Sequence, residues 1–510
     1  MKNSLTFRLR TLSTIISAFA PSPRRGEGWA ERINSEVICD RILSCAGLFF
    51  CLLITGCMVG PDYRRPHSPL AEAWSVQSPS LDVSKSNPWL VQWWSAFKDP
   101  VLSGLIARVS AGNLDLRQAQ ARLREARARR DLAEAGLFPT ISAKGTVNQS
   151  SGNGQAGNNI TTELYSNKLD ATWELDIWGK LRRGIESADA TLQASQEDLR
   201  DILISLYAEV ALNYVDLRSF QTRVALTEAN IAAQQNTVQL TQWRYQAGLT
   251  TQLDVEQAQQ NLATTQATLP TLRSGFEQAQ HRLGVLIGQP PGALKLLLNP
   301  MRPIPVAPLN IAIGLPADLL RQRPDVRRSE RKLAAQTAQI GVAKAARYPN
   351  FTLSGFIGLE TLGSANLYSA GAKAFQIAAN TAMVLFDAGR LRRNIDIQTA
   401  LQEQALALYE STLLQAQRDV ENALTTFLQE QLRRDNLQTA VDAGQRALKL
   451  AENQYESGTI DFLRVLDAQR SLLSVQIQFA ASEAEVASDL IRLFKALGGG
   501  WDAHETTKPS

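Results

Sequence analysis

RYQAGLTTQLDVEQAQ (Arg244–Gln259) and QYESGTIDFLRVLDAQ (Gln454–Gln469) carry Tyr, Gly, Leu, Val, Ala and Gln at the same places, 210 residues apart. The same shift aligns LFPTISAKG (Leu137–Gly145) with RYPNFTLSG (Arg347–Gly355), and IWGKLRRGI (Ile177–Ile185) with DAGRLRRNI (Asp387–Ile395). A ladder of apolar residues spaced by seven, Leu203, Val210, Leu217, Val224, Ile231, Val238 and Tyr245, returns as Leu413, Val420, Phe427, Val441, Leu448 and Tyr455, with Arg434 at the place matching Val224. A period this long indicates duplication of a whole unit, not a solenoid of short repeats.

The long part of the unit reads as helix. From about Ile185 to Gln246 there is neither Pro nor Gly, which allows a rod of roughly 90 Å. Seven-residue apolar spacing implies left-handed coiled-coil packing. Ile185, Leu192, Leu199 and Leu206 carry one seam, which shifts by four residues to Leu203 and Val210. Gly248 ends the rod, as a Gly just past a helix does. Thr250 or Thr251 caps a second helix, which runs to about Gly288. The opening stretches are therefore the turns of two long helical hairpins. On its own this segment also fits a soluble coiled-coil spacer.

The other part reads as strands. In KLDATWELDI, Leu169, Ala171, Trp173, Leu175 and Ile177 alternate with Lys168, Asp170, Thr172, Glu174 and Asp176. This period of two places apolar groups on one face. Ile141, Ala143 and Val147 alternate with polar residues in the same way, and GNGQAGNN (Gly152–Asn159) reads as the loop between them. The second copy offers Phe351, Leu353, Ile357 and Leu359, then a return strand, Phe375 to Leu385, that alternates less well.

Charge and cysteine use narrow the function. The formal net charge is +4, and residues 1–56 hold seven Lys/Arg against four Asp/Glu, so the remainder is nearly neutral and offers nucleic acid no basic surface. The only cysteines are Cys39, Cys45, Cys51 and Cys57, which excludes a disulfide scaffold for most of the chain. ILSCAGLFFCLLITGC leads from an apolar run to Cys57. The run is too short to span a bilayer and suits a signal-peptide core. Ile54-Thr55-Gly56-Cys57 resembles a bacterial lipobox, in which the Cys becomes the first residue and is acylated. Met58 rather than Asp follows it, favouring the outer membrane. PSPRRGEGW (Pro21–Trp29) looks like translated non-coding DNA, so the gene is expected to start later.

Beyond Cys57 no run of about 18 apolar residues exists. Entry into a membrane must then be as a barrel, because only helices and closed barrels satisfy the backbone in lipid. Four strands cannot close one, since about eight are the minimum, so several copies must share it.

These blocks carry a family resemblance. GLPADLLRQRPDVRRSERKLAAQTAQIGVAKAARYPNFTLSG (Gly314–Gly355), CMVGPDYRRP (Cys57–Pro66), WWSAFKDPVL (Trp93–Leu102), WELDIWGKLRR (Trp173–Arg183) and LFKALGGGW (Leu493–Trp501) resemble the outer-membrane efflux factors. These are the TolC-like exit ducts, here of the NodT-type lipoprotein branch. The resemblance spans Cys57–Trp501. It implies a homotrimer whose four strands per chain make one twelve-stranded membrane β-barrel, with a coiled-coil α-helical barrel below and an equatorial collar. The organisation expected is a signal (1–56), a lipidated segment (57–115), a first repeat (116–290, β-hairpin 140–178, helical hairpin 183–288), a linker (291–325), a second repeat (326–500, β-hairpin 350–388, helical hairpin 392–497) and a tail (501–510).

By the same resemblance the second helical tip holds a constriction. Leu463 supplies an apolar ring, Asp467 an acidic ring, and Arg470 stands one turn away. Arg464 occupies a place where relatives sometimes carry an acid. Gly248, Leu249, Gly458 and Thr459 are expected to meet a periplasmic adaptor, which joins an inner-membrane transporter of the resistance-nodulation-division type. Arg182-Arg183 and Arg392-Arg393 are expected as interfacial anchors. No cofactor or metal is expected: His67, His281 and His504 are scattered, and no phosphate loop or metal-spaced ligand set appears. The chain reads as a duct for small molecules rather than an enzyme. The exit channel of type I protein secretion and a non-conducting structural lipoprotein remain as alternatives. Cys57→Ala is expected to abolish incorporation of labelled palmitate, and retained label overturns the lipobox.

Overall fold

The computed structural model describes residues 58–66, 74–75, 81–82, 88–153, 159–306, 311–312 and 320–501. The signal segment, Cys57, the middle of the first β-loop and the start of the Gly314 block lie outside these residues. The chain divides into residues 1–57 and 58–510, and the second unit is the one described. After a 3₁₀ segment (Pro88–Phe97), its helices are α1 (Pro100–Gly112), α2 (Leu114–Ala135), α3 (Lys180–Gln246), α4 (Gln252–Leu286), α5 (Pro324–Ala345), α6 (Arg390–Glu456) and α7 (Phe462–Ala496). Its main sheet is β1 (Thr140–Asn153), β2 (Asn159–Leu175), β3 (Asn350–Leu362) and β4 (Lys373–Ala382); a four-residue helix (Lys295–Leu298) and a short parallel pairing of Leu81–Asp82 with Ile311–Ala312 stand apart from these elements. Both ends of α5, α6 and α7 lie 210 residues beyond those of α2, α3 and α4, so the duplication holds to the residue.

The sheet is antiparallel in the order β1-β2-β3-β4. Its register sets Ile141 opposite Ala171, Leu169 opposite Ile357 and Ile357 opposite Phe375. Opposed residues in an antiparallel pair share a face, so the apolar sets read from the two copies join in one continuous apolar face. That face is bare in the single chain: Phe375 and Ile377 are 81% and 79% exposed. The alternation does not run to Ile177. Strand β2 stops at Leu175, and Asp176 turns back to accept the backbone N–H of Leu181 (3.0 Å) and Arg182 (2.9 Å) at the start of α3. Likewise β4 stops at Ala382, short of Leu385.

The helices stack in two tiers. α3 packs against α2 and α5 in one tier, and against α4 and α7 in the other. The tiers meet end to end. Asn113, the N-cap of α2, donates from Nδ2 to the carbonyl of Leu286, the last residue of α4, at 2.7 Å. Its duplicate Arg323, at the N-cap of α5, donates from Nη1 to the carbonyl of Ala496, the last residue of α7, at 2.7 Å. Helix ends leave carbonyls unpaired, and both junctions satisfy one in the same way with different side chains.

The ladders need one correction. In the second copy Leu413, Val420, Phe427, Val441 and Tyr455 are buried. In the first, burial follows the ladder through Val210 and Leu217, then passes to Thr227, Gln234 and Thr241, again spaced by seven. Tyr245 is exposed. The lower half of α3 thus buries a polar row, because it faces both α4 and α7 rather than one partner. The upper seam holds at Leu206, which is buried, and differs above it: Ser187, Ala190 and Ala194 are buried, and Ala190 packs on Ala334 and Ala335 of α5. Small residues there let the helices approach closely.

The main core lies where the two tiers meet. Trp93 is fully buried and stacks on Phe494 of α7 at 5.6 Å. Around them cluster Leu102, Leu105 and Val109 of α1, Val210 and Leu217 of α3, and Val420 and Phe427 of α6. Asp99 caps α1 through Val101 N–H at 2.7 Å and accepts the Tyr214 hydroxyl at 2.7 Å, tying α1 to the long helix. Near the lower edge of this core Asp489 is buried, paired with Arg492 at 2.6 Å through one oxygen, while the other has no partner. Burial pushes its carboxyl up to about 6.

These contacts set two expectations. Gly248 and Gly288 both have φ above +70° (72° and 74°), but a Cβ at Gly288 meets the Gly112 carbonyl at 2.0 Å while one at Gly248 meets nothing within 4 Å. Gly248→Ala is expected to cost about 1–2 kcal/mol from left-handed strain alone. Gly288→Ala adds a further 1–3 kcal/mol, roughly, from the clash, and denaturant unfolding in detergent should show the gap. Folded Asp489 keeps a proton that the unfolded chain releases, so its contribution to stability falls as pH rises between about 4 and 6. Asp489→Asn is expected to raise stability by about 1–3 kcal/mol near pH 8 and to leave it unchanged near pH 4. Thermal unfolding at the two pH values checks this.

Candidate functional site

The sheet's second face is polar. The hydroxyls of Thr146 and Ser166 lie 2.6 Å apart, and Asn380 donates to Ser354 at 3.3 Å. Lys168 pairs with Glu360 across β2 and β3, and its ammonium sits 4.2 Å from the centroid of the Phe356 ring. One face therefore offers hydrocarbon and the other charge and hydroxyl, as a wall between lipid and water requires. Among the described residues, strands β1 and β4 each pair on one side only. No helix among the described residues is long and apolar enough to cross a membrane.

At the far end of α3 the two helical tips show the same turn. Gly248 N–H reaches the Tyr245 carbonyl at 2.9 Å and Leu249 N–H the Arg244 carbonyl at 2.8 Å. In the second tip Gly458 N–H reaches Tyr455 at 3.0 Å and Thr459 N–H reaches Gln454 at 2.9 Å. These bonds satisfy the last helical carbonyls. Leu249 is 70% exposed.

Past the turn, the two tips differ. Thr251 caps α4, and Asp254 returns the bond to Thr251 N–H at 3.0 Å, completing a capping box. Burial pulls the Asp254 carboxyl up, but hydrogen bonds from Thr250 and Thr251 outweigh it and hold it below the usual aspartate range. The duplicate of Asp254 is Arg464. With Arg464 there, Asp461 at the N-cap of α7 makes no side-chain capping bond. The second tip has lost the box that fastens the first.

Leu463, Asp467 and Arg470 are all exposed, spaced by four and three residues on α7, so they share one side of that helix. Arg470 also reaches back to the first hairpin, donating from Nε to Asn261 Oδ1 of α4 at 2.7 Å. The interfacial pairs divide. Arg393 is exposed and Arg183 is buried, with side chains 80% and 2% accessible, so Arg183 is no surface anchor. Arg182 bonds Asp176 at 3.1 Å.

Sequence reasoning missed the contacts between the hairpins. Arg244, at the end of α3, donates to the Tyr455 carbonyl at 3.1 Å and lies 4.3 Å from its ring centroid. One heptad above, Gln469 of α7 donates to Thr237 of α3 at 3.1 Å. Another heptad above, Asn230 donates to Gln476 at 3.4 Å. Asn230, Thr237 and Arg244 thus form a polar row facing the second hairpin. A signal existed: Arg244 stands against Gln454 in the repeat, so one copy holds a cation that the other lacks.

A family model described as outer membrane efflux protein matches residues 105–289 and 315–499. The two matched segments are themselves 210 residues apart at both ends. Nodulation protein T of Rhizobium leguminosarum bv. trifolii is 32% identical over 462 residues, covering 89% of this chain and 97% of its own. The toluene efflux pump outer membrane protein TtgF of Pseudomonas putida is 32% identical over 466 residues, covering 88% and 95%. Among solved structures, the outer-membrane channel OprN matches with a TM-score of 0.82 at 36% identity, over 87% of this chain and 100% of that one. A duplicated unit of β-hairpin and long helical hairpin, matched by the family model in both halves, makes this chain a member of the outer membrane efflux protein family.

Proposed function

We propose that three copies of this chain form the exit duct of a tripartite efflux pump. The observation that carries the reading is the four-stranded sheet with one apolar face and two unpaired edges. Edges in lipid must be paired. Two copies give eight strands, whose interior side chains fill the barrel. Three give twelve, enough for an aqueous lumen lined by Lys168, Glu360 and their polar neighbours. Below the membrane the exposed flank of α6, with Leu408, Leu414, Leu432 and Leu450, supplies apolar surface for the adjoining copy.

The helical tips serve as the gate in this reading. Leu463 from each copy makes an apolar ring and Asp467 an acidic one, with Arg470 held by Asn261. Three carboxylates facing one another repel, so the closed tip depends on contacts between hairpins, chiefly Arg244 with Tyr455. Gly248, Leu249, Gly458 and Thr459 meet the adaptor, and an inner-membrane pump of the resistance-nodulation-division type delivers small toxic compounds. Cys57 carries the lipid anchor. The duct binds no nucleic acid and performs no covalent chemistry.

Single-channel recording in planar bilayers tests this. The purified protein is expected to insert as a three-copy unit and to conduct weakly at rest. Asp467→Ala is expected to raise resting conductance severalfold and to weaken cation preference. Unchanged conductance and ion preference would remove Asp467 from the gate. A protein that never conducts, even with its adaptor, is a structural tether instead.

A further inference from the structure

The duplication supplies an internal control at the two strand-to-helix junctions, because Arg183 and Arg393 occupy equivalent places. At the second junction Arg393 is 80% accessible and pairs with Asp396 in its own helix at 3.1 Å, and the neighbouring Gly389 has nothing within 4 Å of a would-be Cβ. At the first junction the residues that follow Cys57 fill the same space. Val59 N–H reaches the Trp178 carbonyl at 3.2 Å. A Cβ at Gly179 would meet Met58 Cγ at 2.6 Å, and one at Gly60, where φ is +104°, would meet Gly341 Cα at 2.5 Å. A Cβ at Gly341 would in turn strike Arg183 Cδ at 2.8 Å. Three glycines thus let a strap, the α5 helix and one guanidinium pack in contact.

Arg183 holds the strap. From Nε it donates to the Val59 carbonyl at 3.3 Å, and from one terminal nitrogen to the Gly60 carbonyl at 3.5 Å and Asp62 Oδ1 at 2.7 Å. The other terminal nitrogen binds Glu186 at 2.6 Å. Further on, Tyr63 donates to Glu330 at 3.1 Å and Arg65 pairs with the same carboxylate at 2.7 Å. A buried guanidinium needs its donors met, and here two backbone carbonyls and Asp62 of the strap meet them together with Glu186.

We infer that Arg183 is the positioning residue for the anchored terminus: it seats the residues directly after Cys57 against α3 and α5. From Met58 onward the chain is then part of the folded body and not a free tether. Seating places Met58 against Gly179, four residues past the end of β2, where the wall leaves the membrane. The consequence for the anchor rests on Cys57 being acylated, and the seat itself does not.

Limited trypsin digestion of the full-length protein, extracted from outer membranes, tests the seat. Its reporter is the Arg64–Arg65 bond, which the protease can cut only when the strap lifts. Wild type and Arg393→Gln are expected to resist equally. Arg183→Gln and Gly60→Val are expected to be cut at least about tenfold faster, with Arg183→Lys between them. Gly60→Val leaves every helix residue in place, so the result stands even where Arg183→Gln folds poorly. Unchanged protection in folded Arg183→Gln and Gly60→Val overturns the inference, as does equal lability in Arg393→Gln. Palmitate labelling of the same wild-type preparation tests the anchor separately: a chain without label that still protects Arg64 loses the anchor and keeps the seat.

Discussion

A backbone amide in hydrocarbon has no water to turn to. Leaving one unpaired costs several kcal/mol, and the strands β1 and β4 each present a row of them. Everything distinctive about this chain answers to that constraint. Its strands are half-polar because one side must face lipid and the other water. Its sheet stops at four strands because duplication of a two-stranded hairpin yields four. Closure must therefore come from other copies, and the apolar face that looks like an error in one chain, with Phe375 and Ile377 bare, is the outer wall of an assembly.

Duplication explains the architecture, and departures from it point to the specialised places. Asn113 and Arg323 keep the same task, satisfying the final carbonyl of the helix below, with different groups. Asp254 and Arg464 do not: the first closes a capping box and the second leaves α7 without one. Arg183 is buried under the N-terminal strap, while Arg393 stands in the open. Arg244 bridges to the second hairpin, and its duplicate Gln454 carries no charge with which to do the same. An ancestral pair of equal units would have been symmetric at all four places. Three of the four lie at an end of the long helices α3 and α6 or just past it, and the fourth, Asn113 with Arg323, lies where the tiers meet.

Much of this was legible in the residues. Period-two alternation set the faces of β1, β2 and β3, and the absence of Pro and Gly between Ile185 and Gln246 marked a rod that the structure shows as α3. The expectation of a gate at Leu463 and Asp467 comes from resemblance, and the spacing could only say that they share a helix side. What failed did so for physical reasons. The alternating pattern continues through Asp176 and Ile177, but the carboxylate gains two backbone N–H groups by leaving the strand, and hydrogen bonds at a helix start outweigh one more ladder pair. The lower ladder of α3 misled because a helix with two neighbours buries the line between two faces, here Thr227, Gln234 and Thr241, rather than the centre of the apolar one. The burial of Arg183 was unreadable because two of its partners, Val59 and Gly60, contribute carbonyls, which carry no sequence signature, and Asp62 lies far from it in the chain.

Packing between the hairpins is more polar than packing within them. Tyr455, Phe462, Val465 and Leu466 form a small apolar cluster at the second tip, which also takes in Ala258 of α4, with Val238 of α3 packed against it. The other links across to the first hairpin are polar: Arg244 to Tyr455, Gln469 to Thr237, Asn230 to Gln476 and Arg470 to Asn261. A hydrogen bond exchanged for water costs only about 1 kcal/mol net, whereas exposing a buried apolar side chain costs about 1.5–3 kcal/mol. Several polar atoms buried along the lower half of α3 and α7, both ends of Gln234 and the free oxygen of Gln469 among them, have no partner. Water entering between the hairpins would satisfy them. Along most of this line, parting the hairpins therefore exchanges hydrogen bonds for water, and the apolar contact of Ala258 and Val238 with the second tip is what holds them together most firmly.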